Sequence, residues 1–212
     1  FPQMLESLKR PGKAVVLGTV PFIDADGRLR NRAPIVSEGR VLHQDKIHLT
    51  PWEHAFHGGE RISVWDFNGH KLAVLVCLDI EIPELAAALR GNHVDLLLVP
   101  SATENVLGVE RVHRCASTRS VELGCFTAVS QLTGSAESEL IDVNVGRLAV
   151  YSPSQSAFGG IERMRAGELL DRGFHRLSVE LDLAGLAASR AATEETNPSR
   201  LVPRRILIED AG

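Results

Sequence analysis

Residues 45–89, DKIHLTPWEHAFHGGERISVWDFNGHKLAVLVCLDIEIPELAAAL, decide how the rest of the chain is read. KLAVLVC is an apolar, β-branched run of strand length, and it predicts a buried strand. The segment from Pro83 onward, with proline and then Glu84 in its first turn, predicts a helix. RISVWDF and KLAVLVC, joined at NGH, predict a hairpin. Cys77 therefore stands where a strand ends and a helix approaches, a place where helix-end N–H groups favour an anion such as a thiolate. Upstream, Lys46 precedes Cys77 by 31 residues and Glu53 by seven, in KIHLTPWE.

Outward from this stretch, AVVLGTVPFI and RAPIVSEGRVLHQDKIHL read as strands joined through the turn DADG (24–27), with Lys46 ending the last of them and T-P-W-E turning the chain. The opening FPQMLESLKRPG reads as an amphipathic helix with Phe1, Met4, Leu5 and Leu8 on one face, stopped by Pro11 and Gly12. Glu6, beside Lys9 on that helix, is a surface carboxylate. VDLLLVPSATE is an apolar strand entering a polar loop, and VERVHRCASTRSVELG is a helix. CFTAVSQLTG is another strand, and RLAVYSPSQSAFGG a further strand and turn, ending at Gly159 and Gly160. FHRLSVELDLAGLAASRA predicts a closing strand and helix, and 197–212 a polar tail. Hairpins alternating with strand–helix units predict an α/β fold with a mixed sheet, in a single domain over 1–212.

The 212 residues are 44% hydrophobic with a net charge of −4, enough to bury a core and without an electrostatic case for nucleic-acid binding. The longest apolar runs are strand-sized, so no membrane span is predicted. Three cysteines without CxxC spacing predict a reducing compartment, the cytoplasm by default. His43, His48, His54 and His57 fit no standard zinc spacing, and neither metal nor cofactor is expected.

Taken together, KIHLTPWE (46–53), VCLDIEIPELA (76–86) and RCASTRSVELGCF (114–126) resemble the nitrilase, or carbon–nitrogen hydrolase, superfamily. The resemblance extends over about residues 14–206. In particular it is to a bacterial branch in which such a domain can follow an acetyltransferase domain. The family's catalytic set is glutamate, lysine and cysteine, with a second glutamate after the lysine. Lys46 matches the lysine, Glu53 the second glutamate and Cys77 the nucleophile of the C-Y-D-x-x-F-P-E motif. Leu78 stands in place of the tyrosine and Ile82 in place of the phenylalanine. Leu78 is expected to contribute its backbone N–H to an oxyanion site.

The resemblance implies a four-layer α-β-β-α sandwich, and a polar loop at Ser101, Ala102, Thr103 and Glu104 that lines the substrate pocket. Glu122 takes the place of a buried structural glutamate, and Asn31 that of an asparagine opening a strand, although it reads equally well as a turn residue. The implied reaction is hydrolysis of a small-molecule amide or N-carbamoyl group, less readily a nitrile, through a cysteine thioester. Two alternatives stand beside it: acyl transfer to an amine, and a catalytically dead domain that binds a small amide or a protein. A homodimer or higher homo-oligomer is expected. The family's first glutamate belongs to an earlier strand–helix unit that residue 1 begins too late to include, so these 212 residues alone are expected not to turn over an amide.

Overall fold

A computed structural model of the chain describes residues 1–138, 141–158, 162 and 164–192. The tail expected at 197–212 and the turn expected at 159–160 lie outside them. A short helix α1 (Pro2–Leu8) leads into strands β1 (Ala14–Val16), β2 (Val20–Ile23), β3 (Leu29–Ser37) and β4 (Arg40–Asp45). Then follow β5 (Val64–Phe67), β6 (His70–Val74), α2 (Pro83–Leu89), β7 (Leu96–Ser101), α3 (Val106–Leu123) and β8 (Phe126–Gln131). The last elements are β9 (Gly134–Ser135), β10 (Val143–Asn144), β11 (Ala149–Tyr151), β12 (Met164–Ala166) and α4 (Leu183–Ala191).

Two sheets form. In the first, β1, β2 and β4 all lie antiparallel to the long strand β3. The stretch predicted as a single strand, AVVLGTVPFI, is broken: β1 and β2 pair with successive halves of β3, and Leu17, between them, still donates its N–H to Pro34. Gly18 follows, where a missing side chain weakens a strand. The β3–β4 turn holds Glu38 and Gly39 at φ 49° and 77°, the paired left-handed residues of a type I′ hairpin. The second sheet has the order β12-β11-β8-β7-β6-β5, parallel through β6, β7 and β8 and antiparallel at the edges. Its β5–β6 hairpin turns on Asn68 and Gly69, at φ 52° and 80°, as NGH predicts.

Strand alternation builds two cores. On β6 and the residues just beyond it, Leu72, Val74 and Val76 pack with Ala33 and Ile35 of β3 and Trp65 of β5, filling the space between the sheets. Ala73 and Leu75 point the other way, joining Leu97, Val99, Val112 and Ala116 beneath the helices. Helix α3 buries Val109, Val112, Ala116 and Leu123 at helical spacing. It is capped by Asn105, which accepts from the Gly108 N–H at 3.1 Å, and ends at Gly124 in the left-handed conformation. The result is the α-β-β-α sandwich in which helices cover paired sheets. At the far end Leu186 of α4 packs against Phe126 and Phe158.

Three expectations are corrected. FHRLSVE forms no strand among the described residues: its alternation is regular, but no strand pairs with it, and Phe174 is 91% exposed. Glu122 is half-exposed rather than buried, and accepts from Arg119 at 2.7 Å; the buried member of that pair is the arginine. Asn31 lies within β3, paired opposite Pro21, and is no turn residue. The apolar face of α1 is only partly covered, with Phe1 and Met4 exposed, and Glu6 pairs with Lys9 at the surface. Among the described residues no helix is long and apolar enough to cross a membrane.

Candidate active site

Lys46 follows the last residue of β4, and its N–H extends the ladder by one bond to the Asn31 carbonyl at 2.8 Å. Chain direction then changes at T-P-W-E. This is a capping box: Thr50 caps a one-turn 3-10 helix, Pro51–Glu53, with proline at its first position, and Glu53 reaches back to the Thr50 N–H. The local motif thus folds the Glu53 carboxylate back toward Lys46. Nζ of Lys46 donates to Oε2 of Glu53 at 2.5 Å, with both residues at most 5% exposed.

Three further donors complete the carboxylate. The Thr50 N–H and hydroxyl reach Oε2 at 2.8 and 2.7 Å, and Nδ2 of Asn31 reaches Oε1 at 2.6 Å. Burial by itself raises the pKa of the Glu53 carboxyl, but Lys46 and the two Thr50 donors outweigh it and hold the group below its ordinary range. A buried charge pair is tolerable only when its remaining polar atoms are bonded, and both oxygens of the carboxylate are.

The backbone around the pair is fitted closely. Gly59 donates to the Lys46 carbonyl at 2.8 Å. A Cβ at Gly58 would collide with the Ile47 carbonyl oxygen, and one at Gly59 would lie 3.0 Å from Asp45. The two glycines of HGG are therefore required by close approach of backbone to backbone. Arg30, buried on β3, donates to the His57 and Gly58 carbonyls and holds this loop down.

Cys77 begins a 3-10 turn, Cys77–Glu81, directly after Val76. Its φ is +50°, a left-handed conformation that costs a residue with a Cβ roughly 1–3 kcal/mol. The sharp corner lifts the side chain out of the sheet line, and Sγ donates to the Ala102 carbonyl at 3.5 Å. In this turn the first bonded N–H is that of Asp79, to the Val76 carbonyl at 3.0 Å. The N–H groups of Cys77 and Leu78 come before it, where a helical turn has no internal partner to offer. Arg119 of α3 fixes the turn from behind, donating to the Ile80 carbonyl at 3.1 Å.

The lysine and cysteine segments are joined by Asp79. Its carboxylate is fully buried and accepts from the Ile47 N–H at 3.0 Å and the His48 N–H at 2.7 Å, with the His48 ring 3.3 Å away. Burial pushes this carboxyl up from its ordinary range against the pull of those donors. The two residues after Lys46 are thereby tied to the residue two beyond Cys77.

At the loop after β7, the four expected residues do different things. Ala102 supplies the carbonyl that meets the thiol. The Ser101 hydroxyl is buried and has no hydrogen-bond partner among the described residues. Thr103 is buried, and its hydroxyl donates to the Val145 carbonyl at 2.7 Å, while Glu104 is exposed. The other thiols are less available for chemistry: burial raises Cys115 and pushes the fully buried Cys125 up to about 12. Among the described residues no cluster of three His, Cys, Asp or Glu side chains could hold a metal.

Asp79 was not singled out from the sequence, and Asn31 only as a strand or turn residue, with no tie to Glu53. Asn31 and Asp79 reach partners 22 and 31–32 residues away. Asp79 did carry a signal, an acid in the apolar run VCLDIEI, where a buried carboxylate requires donors.

The carbon–nitrogen hydrolase family model matches residues 2–164. The chain belongs to the carbon–nitrogen hydrolase family. It is 30% identical over 148 residues to a probable hydrolase, YhcX, of Bacillus subtilis, covering 68% of this chain and 29% of that protein. It is 30% identical over 203 residues to an (R)-stereoselective amidase of Pseudomonas sp., covering 94% of this chain and 68% of that protein. Two solved members share the fold. Saccharomyces cerevisiae Nit3, of the nitrilase superfamily, gives a TM-score of 0.65 at 22% identity, covering 94% of this chain and 69% of that one. A mutant amidase from Nesterenkonia sp. AN1, whose structure shows Michael addition of acrylamide at the active-site cysteine, gives 0.56 at 27% identity, covering 68% and 56%.

Proposed function

We propose that this carbon–nitrogen hydrolase cleaves a small-molecule amide or N-carbamoyl bond through a thioester on Cys77. The observation that carries the reading is the corner at Cys77, tied through buried Asp79 to the segment bearing the Lys46–Glu53 pair. The amidases among the similar proteins support the choice of an amide.

In this reading the Cys77 sulfur attacks the carbonyl carbon, and the C=O electron pair moves onto oxygen. The Lys46 ammonium and the Leu78 N–H stabilise that oxyanion; loss of one such donor typically raises the barrier by roughly 3–4 kcal/mol. Collapse expels the amine, which takes up a proton, and leaves an acyl–sulfur bond. Water then adds to the thioester and returns the thiol. The family's upstream glutamate is the group that would carry the proton from thiol to amine and then activate the water. Glu53 keeps Lys46 aimed.

Thiol reactivity tests the reading without knowledge of the substrate. Acrylamide or iodoacetamide at pH 7, mapped by mass spectrometry, should modify Cys77 ahead of Cys115 and Cys125. Preferential modification of either of the others would refute the assignment.

A further inference from the structure

Behind the loop that meets the thiol runs a buried line of polar side chains whose directions are all determined. It begins at a group that can only accept, the Val145 carbonyl, which receives the Thr103 hydroxyl proton at 2.7 Å. Thr103 Oγ1 must then accept, and its donor is Nε2 of Gln131 at 3.2 Å. That orients the Gln131 amide with Oε1 on the far side, where it accepts from the Arg147 N–H at 3.1 Å and faces Nε2 of His113 at 2.8 Å. An amide oxygen has no proton to give, so His113 Nε2 carries one. The other ring nitrogen, Nδ1, lies 2.8 Å from the Tyr151 hydroxyl. His113 is 2% exposed, and burial lowers its basicity, so the ring is neutral and Nδ1 accepts from the tyrosine. Arg147, Glu110 and Arg114 are the charged groups around the outer end, on the rim of an open cavity of about 410 Å³ that His113 and Tyr151 also line.

The inner end of the line lies one residue from the backbone group that meets the nucleophile. Thr103 is the residue after Ala102, whose carbonyl accepts from Cys77 Sγ, and the Thr103 carbonyl itself accepts the Val145 N–H at 2.8 Å. We infer that Tyr151, His113, Gln131 and Thr103 form a positioning network that holds the Ala102 carbonyl against the Cys77 thiol. The thiol is thereby held in one direction by the loop. None of the four is a catalytic residue in this inference; they act through the loop. It rests on Cys77 being the nucleophile.

The tests use the full chain. Nitrogen chemical shifts of His113 should show the proton on Nε2; a proton on Nδ1 would overturn the chain of donors. Thr103→Val and Gln131→Met each remove a link with little change of volume. A lost link should raise Cys77 alkylation at pH 7 by about fivefold relative to Cys115 in the same sample, because the carbonyl no longer stabilises the protonated sulfur. The pH midpoint of Cys77 labelling should fall in both variants. Thr103→Ser, which keeps the hydroxyl, should restore the original ratio and midpoint. Should Thr103→Val not fold, Tyr151→Phe breaks only the outer hydroxyl and should move the same ratio in the same direction. Unchanged Cys77 labelling in folded variants would overturn the network while leaving the nucleophile assignment intact. Equal acceleration at Cys77 and Cys115 would also overturn it, as general loosening. Failure of Cys77 to outpace Cys115 in the unaltered chain would instead overturn the nucleophile assignment, and the network with it.

Discussion

Replacing Glu53 by glutamine tests whether the Lys46–Glu53 pair is the electrostatic centre of the site. Four donors meet the carboxylate, three of them at Oε2. In Glu53→Gln the amide oxygen can serve those three only by turning its NH2 toward Nδ2 of Asn31, now a donor facing a donor. A flip of the Asn31 amide relieves that clash and leaves one deficit, an ammonium at a residue 4% exposed with no counter-charge. Breaking one side of such a buried pair costs about 3–5 kcal/mol. For a chain of 212 residues, at about 2–4 °C per kcal/mol, that is a fall in Tm of roughly 6–20 °C. Lys46→Met alone should cost a similar amount, since it leaves a buried carboxylate. The double variant removes both charges, and should be less destabilised than the sum of the singles by about 2–3 kcal/mol. Urea denaturation of the four proteins at pH 7 gives the coupling directly. Additive losses would refute the pair as a unit. The pH profile adds a signed check. Because the folded-state Glu53 pKa is depressed, its contribution is present above the unfolded value of about 4.3 and is lost as pH falls through the lower folded value. Glu53→Gln should lack that acid step. In any form of the enzyme with turnover, Lys46→Ala and Glu53→Ala should lower kcat far more than they change KM, again with less than additive loss.

The remaining predictions concern the corner and its ties. Cys77→Gly should melt higher than Cys77→Ala, by about 1 kcal/mol in stability, because glycine adopts a φ of +50° without the Cβ penalty; equal stabilities would mean that the corner is not strained. Asp79→Asn leaves one of the Ile47 and His48 N–H groups facing an amide NH2, and should cost about 1–3 kcal/mol together with slower Cys77 labelling; full-rate labelling would show that the tie does not position the site. Gly58→Ala should destabilise the chain and weaken the Lys46–Glu53 coupling, read by the same urea cycle, because the added methyl meets the Ile47 carbonyl; a neutral result would mean that the loop has room to move.

Much of this architecture is written in local pattern. The NGH hairpin, the helix opening at Pro83 and the helix of residues 106–123 all follow from helical spacing and turn chemistry, which act over a few residues; the strand expected to reach Cys77 stops at Val74 instead. T-P-W-E is likewise a local device, a capping box that makes Glu53 fold back whatever surrounds it. Tertiary structure decided what lies opposite what. Periodicity specifies which face a side chain takes but not its partner. FHRLSVE, which alternates like a strand, remains unpaired among the described residues. Asn31 has equal claim to a turn or a strand until β3 sets it against Glu53. Asp79 is an unexplained acid until the chain brings the Ile47 and His48 N–H groups to it. The same holds for the Ala102 carbonyl and the His113 line: such contacts depend on loop closure over tens of residues, and no short-range propensity encodes them.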